Sequence, residues 1–170
     1  MVPNFRRFAM ESGFGDVPVL ENALATAWTW LETEKVSSEL SELRMAVENQ
    51  APDKEDFKSV YTSAALDSVS AISSLLDALE LNVADVSGVA TLARDSIDLF
   101  VQDLMNLDPS ESQFEEKIQQ HEIMRNEMLM QQQQLKELQD LRGSRKEVVT
   151  YFKNKYLPSK DSLYIPAVTG

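Results

Sequence analysis

Residues 57–80, FKSVYTSAALDSVSAISSLLDALE, decide the fold class. Phe57, Tyr61, Ala64, Ser68, Ile72, Leu75 and Leu79 recur at intervals of three and four. At the 3.6-residue period of an α-helix such spacing gathers them on one face, whereas a strand would scatter them over both. The same stretch is dense in small side chains: Ser63, Ala64, Ala65, Ser68, Ser70, Ala71, Ser73 and Ser74. Small residues let neighbouring helices approach closely, so this helix is expected near the centre of a bundle.

Working outward, the same period repeats in both directions while the alternation of a half-buried strand is nearly absent. A helix is predicted over Pro3–Ser12, with Gly13 supplying the positive φ of a helix stop. A second covers Val17–Glu34, with Asp16 placed to cap it through its carboxylate and Pro18 in its first turn. Leu20, Leu24, Ala27 and Leu31 form its stripe, which leaves Trp28 and Trp30 on opposite margins. A third opens at Ser37 or Ser38 and ends near Gln50, before Pro52. After the central helix, Asn82 is a cap candidate for a fifth over Val83–Asn106, striped by Val86, Ala90, Ala93, Ile97, Phe100, Leu104 and Leu107. Asp108-Pro109-Ser110 is a stop followed by a cap.

A sixth helix then reads without a break from Glu111 to Arg142, with Gly143 as its C-cap and a stripe of Phe114, Ile118, Met124, Met128, Leu135 and Leu138. At 1.5 Å per residue it would be about 50 Å long. A globule of this size has a radius of gyration of about 15 Å, so the helix must span the domain, bend or protrude. A seventh covers Ser144–Tyr156. The expectation is an all-α, single-domain irregular bundle of about seven helices over residues 1–157. A non-helical tail over residues 158–170 follows, whose Leu163, Tyr164, Ile165 and Val168 suit it to lie across the body or a partner chain.

Composition bounds the function. A chain of 170 residues can bury about 70% of the surface it exposes when unfolded, so it needs no staples. It has no cysteine, which excludes disulfides, thiolate zinc sites and cysteine nucleophiles. No apolar run reaches the roughly 20 residues of a membrane span and no signal peptide follows Arg6 and Arg7, so the cytoplasm is the expected location. The formal charge of −12 repels nucleic acid and anionic lipid. Residues 136–160 are the exception, netting +4 and leaving −16 elsewhere. That basic region is expected to pack beside a negative body.

No catalytic constellation is apparent. The one histidine, His121, has no Glu-x-x-His partner motif and sits between Ile118 and Met124 as a core or rim group. Gly13-x-Gly15 lacks the third glycine and the preceding strand of a phosphate loop. Asp67 falls near the small-residue face of the central helix, and Arg94 is its natural partner if it is buried. No cofactor and no metal are expected.

Pro3-Asn4-Phe5 followed by Ser12-Gly13-Phe14-Gly15-Asp16 resembles the opening of the YjaG-like family, a bacterial family catalogued as domain of unknown function 416. The resemblance continues through Ala65-Leu66-Asp67, Thr91 to Asp95, and the long helix with Glu115, Glu122 and Leu135, covering the chain to about Arg142. It implies a compact helical fold in the bacterial cytoplasm and carries over no activity, cofactor or substrate. Relatives in that family carry a further amphipathic helix before the Pro-Asn pair, whereas here Met1 stands almost directly before Pro3. Either the start codon is placed late or that helix is lost and its groove is open to another occupant.

The resulting expectation is a non-enzymatic protein-interaction or structural module, self-associating, that binds neither nucleic acid nor membrane. Its candidate contact residues are Trp28, Trp30, Asp67, Arg94, His121, Tyr156 and Tyr164. The alternative is a small-ligand-binding protein whose cleft, lined by Met, Tyr and Trp, lies beside Asp67.

Overall fold

A computed structural model describes residues 2–35, 39–81 and 87–156. These residues form an all-α bundle with no strand among them. Eight helices are described: α1 (Val2–Ser12), α2 (Val17–Thr33), α3 (Leu40–Glu48), α4 (Thr62–Glu80), α5 (Ser87–Met105), α6 (Phe114–Gln120), α7 (Glu122–Asp140) and α8 (Arg145–Tyr156). Ser37 and Ser38 at the expected start of the third helix, the cap candidate Asn82, and the tail from 157 onward with Tyr164 lie outside the described residues.

The central helix is where the pattern put it. α4 packs against α1, α2, α3 and α5. Tyr61, Ala64, Ser68, Ile72 and Leu79 of the predicted stripe are all buried. The Ser68 hydroxyl is satisfied by donating to the carbonyl of Ala64 at 2.6 Å, so the helix carries a polar group into the core without an open hydrogen bond. The helix begins at Thr62 rather than Phe57, because residues 54–61 run through turns. Phe57 still reaches the core from that loop, meeting Phe8 edge-on at 5.3 Å and Phe14 at 5.0 Å between ring centroids.

That aromatic cluster explains the Ser12–Asp16 stretch. Gly13 takes φ +71° and ends α1, its amide donating to the carbonyl of Ala9 at 2.9 Å. Gly15 takes φ +95°, and a Cβ placed on it would stand 2.6 Å from the buried Phe5 ring. Only glycine combines that backbone with that approach. Asp16 occupies the N-cap position of α2 with extended backbone, but its carboxylate makes no cap hydrogen bond. Its own amide instead donates to Oε1 of Gln50 at 2.7 Å, joining this turn to the end of α3.

Two sequence expectations change. The fifth-helix stripe is buried only in its middle: Ile97 and Phe100 are covered, with Val101 beside them, whereas Ala90 and Leu104 are exposed. The long sixth helix is two helices. His121 breaks it with extended backbone (φ −63°, ψ 138°), and its Nδ1 accepts the amide of Ile123 at 3.3 Å, capping α7. The bend answers the length problem, and the count rises from seven helices to eight.

Candidate interaction surface

Beyond His121 the apolar stripe drawn from sequence and the buried face part company. On α7 the inward side is taken by Met124, Glu127, Gln131, Gln134 and Glu137, of which only Met124 and Glu127 are fully buried. Polar groups on this side satisfy one another: Gln131 donates from Nε2 to Oε1 of Glu127 at 2.5 Å and to the carbonyl of Ala90 on α5 at 3.4 Å. Met128, Leu129, Leu135 and Leu138 are exposed by 40%, 60%, 57% and 53%, Leu138 on the line of Gln131 but near the end of the helix. Three of these four were expected in the core. The break at His121 resets the rotational phase of the helix, and a helix with apolar residues on two sides does not say which side will be covered.

α7 leans on α5 and α6, where Ile97, Val101, Ile118 and Met124 form a small core of their own. Its C-terminal end is held to α8 by polar groups. Lys155 donates from Nζ to both oxygens of Glu137 at 2.8 Å, and the hydroxyls of Tyr156 and Tyr151 donate to Oε2 of Glu137 at 2.8 and 3.1 Å. Four donors on one carboxyl, the Lys155 ammonium foremost and Gln133 among them, hold Glu137 down at about 2. The same contact raises the Lys155 ammonium above its ordinary range.

α8 in turn rests on α2, and charge joins them. Arg145 pairs with Glu34 and stacks its guanidinium over the Trp30 indole at 5.1 Å, while Lys153 stands 3.5 Å from Glu32. The basic segment thus packs against acids of α2 and α7. α8 starts with a reciprocal cap that the sequence analysis passed over. The Ser144 amide donates to Oε2 of Glu147 at 2.7 Å, and the Glu147 amide donates to the Ser144 hydroxyl at 3.4 Å. The spacing Ser144-x-x-Glu147 is the signal for it.

The remaining candidates do not gather into one site. Trp28 and Trp30 are half-buried on α2, and Nε1 of Trp30 is enclosed without a hydrogen-bond partner. Asp67 is half-buried on α4, and no Asp67–Arg94 ion pair occurs among the described residues. Arg94 is exposed, and the groups that act on Asp67 are Lys54, Ser96 and Asp95. Burial raises the Asp67 carboxyl above its ordinary range against the lowering effects of Lys54 and the Ser96 hydroxyl, and its Oδ2 has no partner. Two aromatics named for a cleft beside it have other contacts, Trp30 with Arg145 and Tyr156 with Glu137. An open groove of about 330 Å³ between α3 and α4 is lined by Glu48, Ala51, Val69, Ser70, Ser73 and Ser74, and Asp67 is not in its wall. No group of three or more metal-ligating side chains occurs among the described residues.

Fold and surface together define an irregular all-α bundle in which several apolar side chains of α7 are exposed. The chain belongs to the DUF416 family, proteins of unknown function, whose model matches residues 1–162. Among solved structures it is similar to a DUF416 family protein from Shewanella baltica OS155, with a TM-score of 0.84 at 24% identity over 92% of this chain and 80% of that one. At that identity the likeness is one of fold. No curated protein matches the chain.

Proposed function

We propose that this protein is a non-enzymatic interaction module of the bacterial cytoplasm that self-associates through α7. The observation that carries the reading is that Met128, Leu129 and Leu135 stand exposed on that helix. Apolar side chains exposed in this way favour an occupant that removes them from water. The Nδ1 of the sole histidine is engaged in capping α7, which favours a structural role for it over one in proton transfer. For location, the chain lacks cysteine, and no described helix is long and apolar enough to cross a membrane.

Sedimentation across a concentration series tests the reading. The expected result is a mass that climbs toward a dimer for the native chain and stays monomeric for the Leu129→Glu, Leu135→Glu double variant. Both positions are exposed, so the variant should keep its fold to within about 0.5 kcal/mol per site. Identical behaviour of the two proteins would remove the case for α7.

A second reading has one observation in its favour. The unpartnered Oδ2 of Asp67 offers an acceptor to a small cationic or hydroxylated ligand. A thermal-shift screen tests it, since any ligand that prefers the native state raises the melting temperature. Loss of that shift in Asp67→Ala would locate the ligand, and a screen without a hit would leave the interaction reading alone.

A further inference from the structure

The outward side of α7 has an order beyond being apolar. Arg125, Met128, Gln132, Leu135 and Gln139 are all exposed and alternate at spacings of three and four, which draws a straight seam along the helix. Leu129 and Lys136 flank it on one side and Leu138 on the other. Charge singles this seam out. The chain carries −12 overall, so two copies repel over most of their surfaces. Between residues 123 and 139, however, every exposed side chain is neutral or cationic, because Glu127 is buried and Glu137 is bound by Lys155. A second copy meets no carboxylate opposing carboxylate there.

We propose that the seam pairs with the same seam of a second copy, antiparallel, with Gln132 on the two-fold axis. This rests on the self-association proposed above and names its partner surface, direction and register. The direction follows from the charges. A parallel pair would set Arg125 against Arg125 and Lys136 against Lys136. An antiparallel pair centred on Gln132 brings Arg125 toward Asp140 of the other copy. It sets Met128 beside the other copy's Leu135, and lays Leu129 along the methylene stem of Lys136. Each contact occurs twice, as an isologous interface requires. The glutamine at the centre supplies the polar seam position that fixes register in paired helices, since a slip would leave its amide facing an apolar side chain.

Cysteine cross-linking tests this with no background, because the chain has no cysteine of its own. Gln132→Cys, oxidised in solution, is expected to run as a disulfide-linked dimer on a non-reducing gel, its circular dichroism unchanged. Arg125→Cys and Gln139→Cys lie seven residues to either side, about 10 Å along the helix from the axis. Each should stay monomeric alone, and the two mixed should cross-link to one another. Self-linking of Arg125→Cys or Gln139→Cys to the same extent as Gln132→Cys overturns the antiparallel register. A native chain that sediments as a dimer while Gln132→Cys stays unlinked overturns the seam and leaves self-association standing. A native chain that remains monomeric at every concentration overturns both.

Discussion

Helices α4 and α7 are each nineteen residues long and are built in opposite ways. α4 buries ten of its residues, from Thr62 to Leu79, and is covered by four other helices. α7 buries two, and one of those is Glu127. Around α4 the chain is held by the exclusion of apolar surface from water, which salt does not screen and carboxyl titration does not alter. Between α7 and α8 the contact is made by charge and hydrogen bonds on exposed or half-exposed groups, which are weak singly and depend on both. The difference assigns roles. A helix buried on most sides is scaffold, whereas a helix covered on one side keeps a surface for something else.

The contrast can be broken most severely at α4. Truncating Ile72 to alanine should cost about 2–5 kcal/mol in urea unfolding, because it leaves a cavity in a packed interior. At a concentration where the chain is monomeric, the same change at Leu135 on α7 should cost less than about 0.5 kcal/mol. Equal losses at the two sites would mean that α7 is covered in the folded chain and that the proposed seam is closed.

Acid should separate the two regions next. The Glu137 carboxyl is held at about 2, below the 4.5 it would have unfolded. Its contribution is therefore present in full above about pH 4.5 and is lost as the pH falls toward 2. Tyrosine fluorescence or amide exchange of α8 should report loosening across that window while α4 stays protected. Glu137→Gln should abolish the pH dependence and leave α8 loosened at neutral pH. An α8 that holds through pH 2 would show that its contact with α2 is sufficient.

The smallest expected effect is at Asp67, where the scaffold carries an imperfect polar group. Its folded carboxyl is raised by burial, so ionisation opposes folding. That penalty is absent below the ordinary value of 3.8, grows as the pH rises through the folded value, and is complete above it. Asp67→Asn should accordingly raise the urea midpoint at neutral pH and leave it unchanged in strong acid. A loss of stability at neutral pH would show that Lys54 and Ser96 outweigh burial.

Much of this was legible in residues. The small-residue stripe of α4 announced a central helix, and the glycines at 13 and 15 announced the turn that the Phe5 ring now explains. The aromatic partners of that turn were less visible, because Phe57 reaches Phe8 and Phe14 from a loop whose path no period describes. The acids Glu32 and Glu34 gave no local sign that they would hold α8, since ion pairs across more than a hundred residues leave no spacing to read.

By itself the sequence determined which stretches are helical and that they bundle, because a 3.6-residue apolar period has one cheap solution in water. Only the tertiary structure decided that His121 caps a new helix, and that Met128 and Leu135 of α7 are left exposed. A hydrophobic period marks a face that prefers cover. Which face receives it depends on the angle at which the helix arrives and on which neighbours have surface left, and neither is encoded locally.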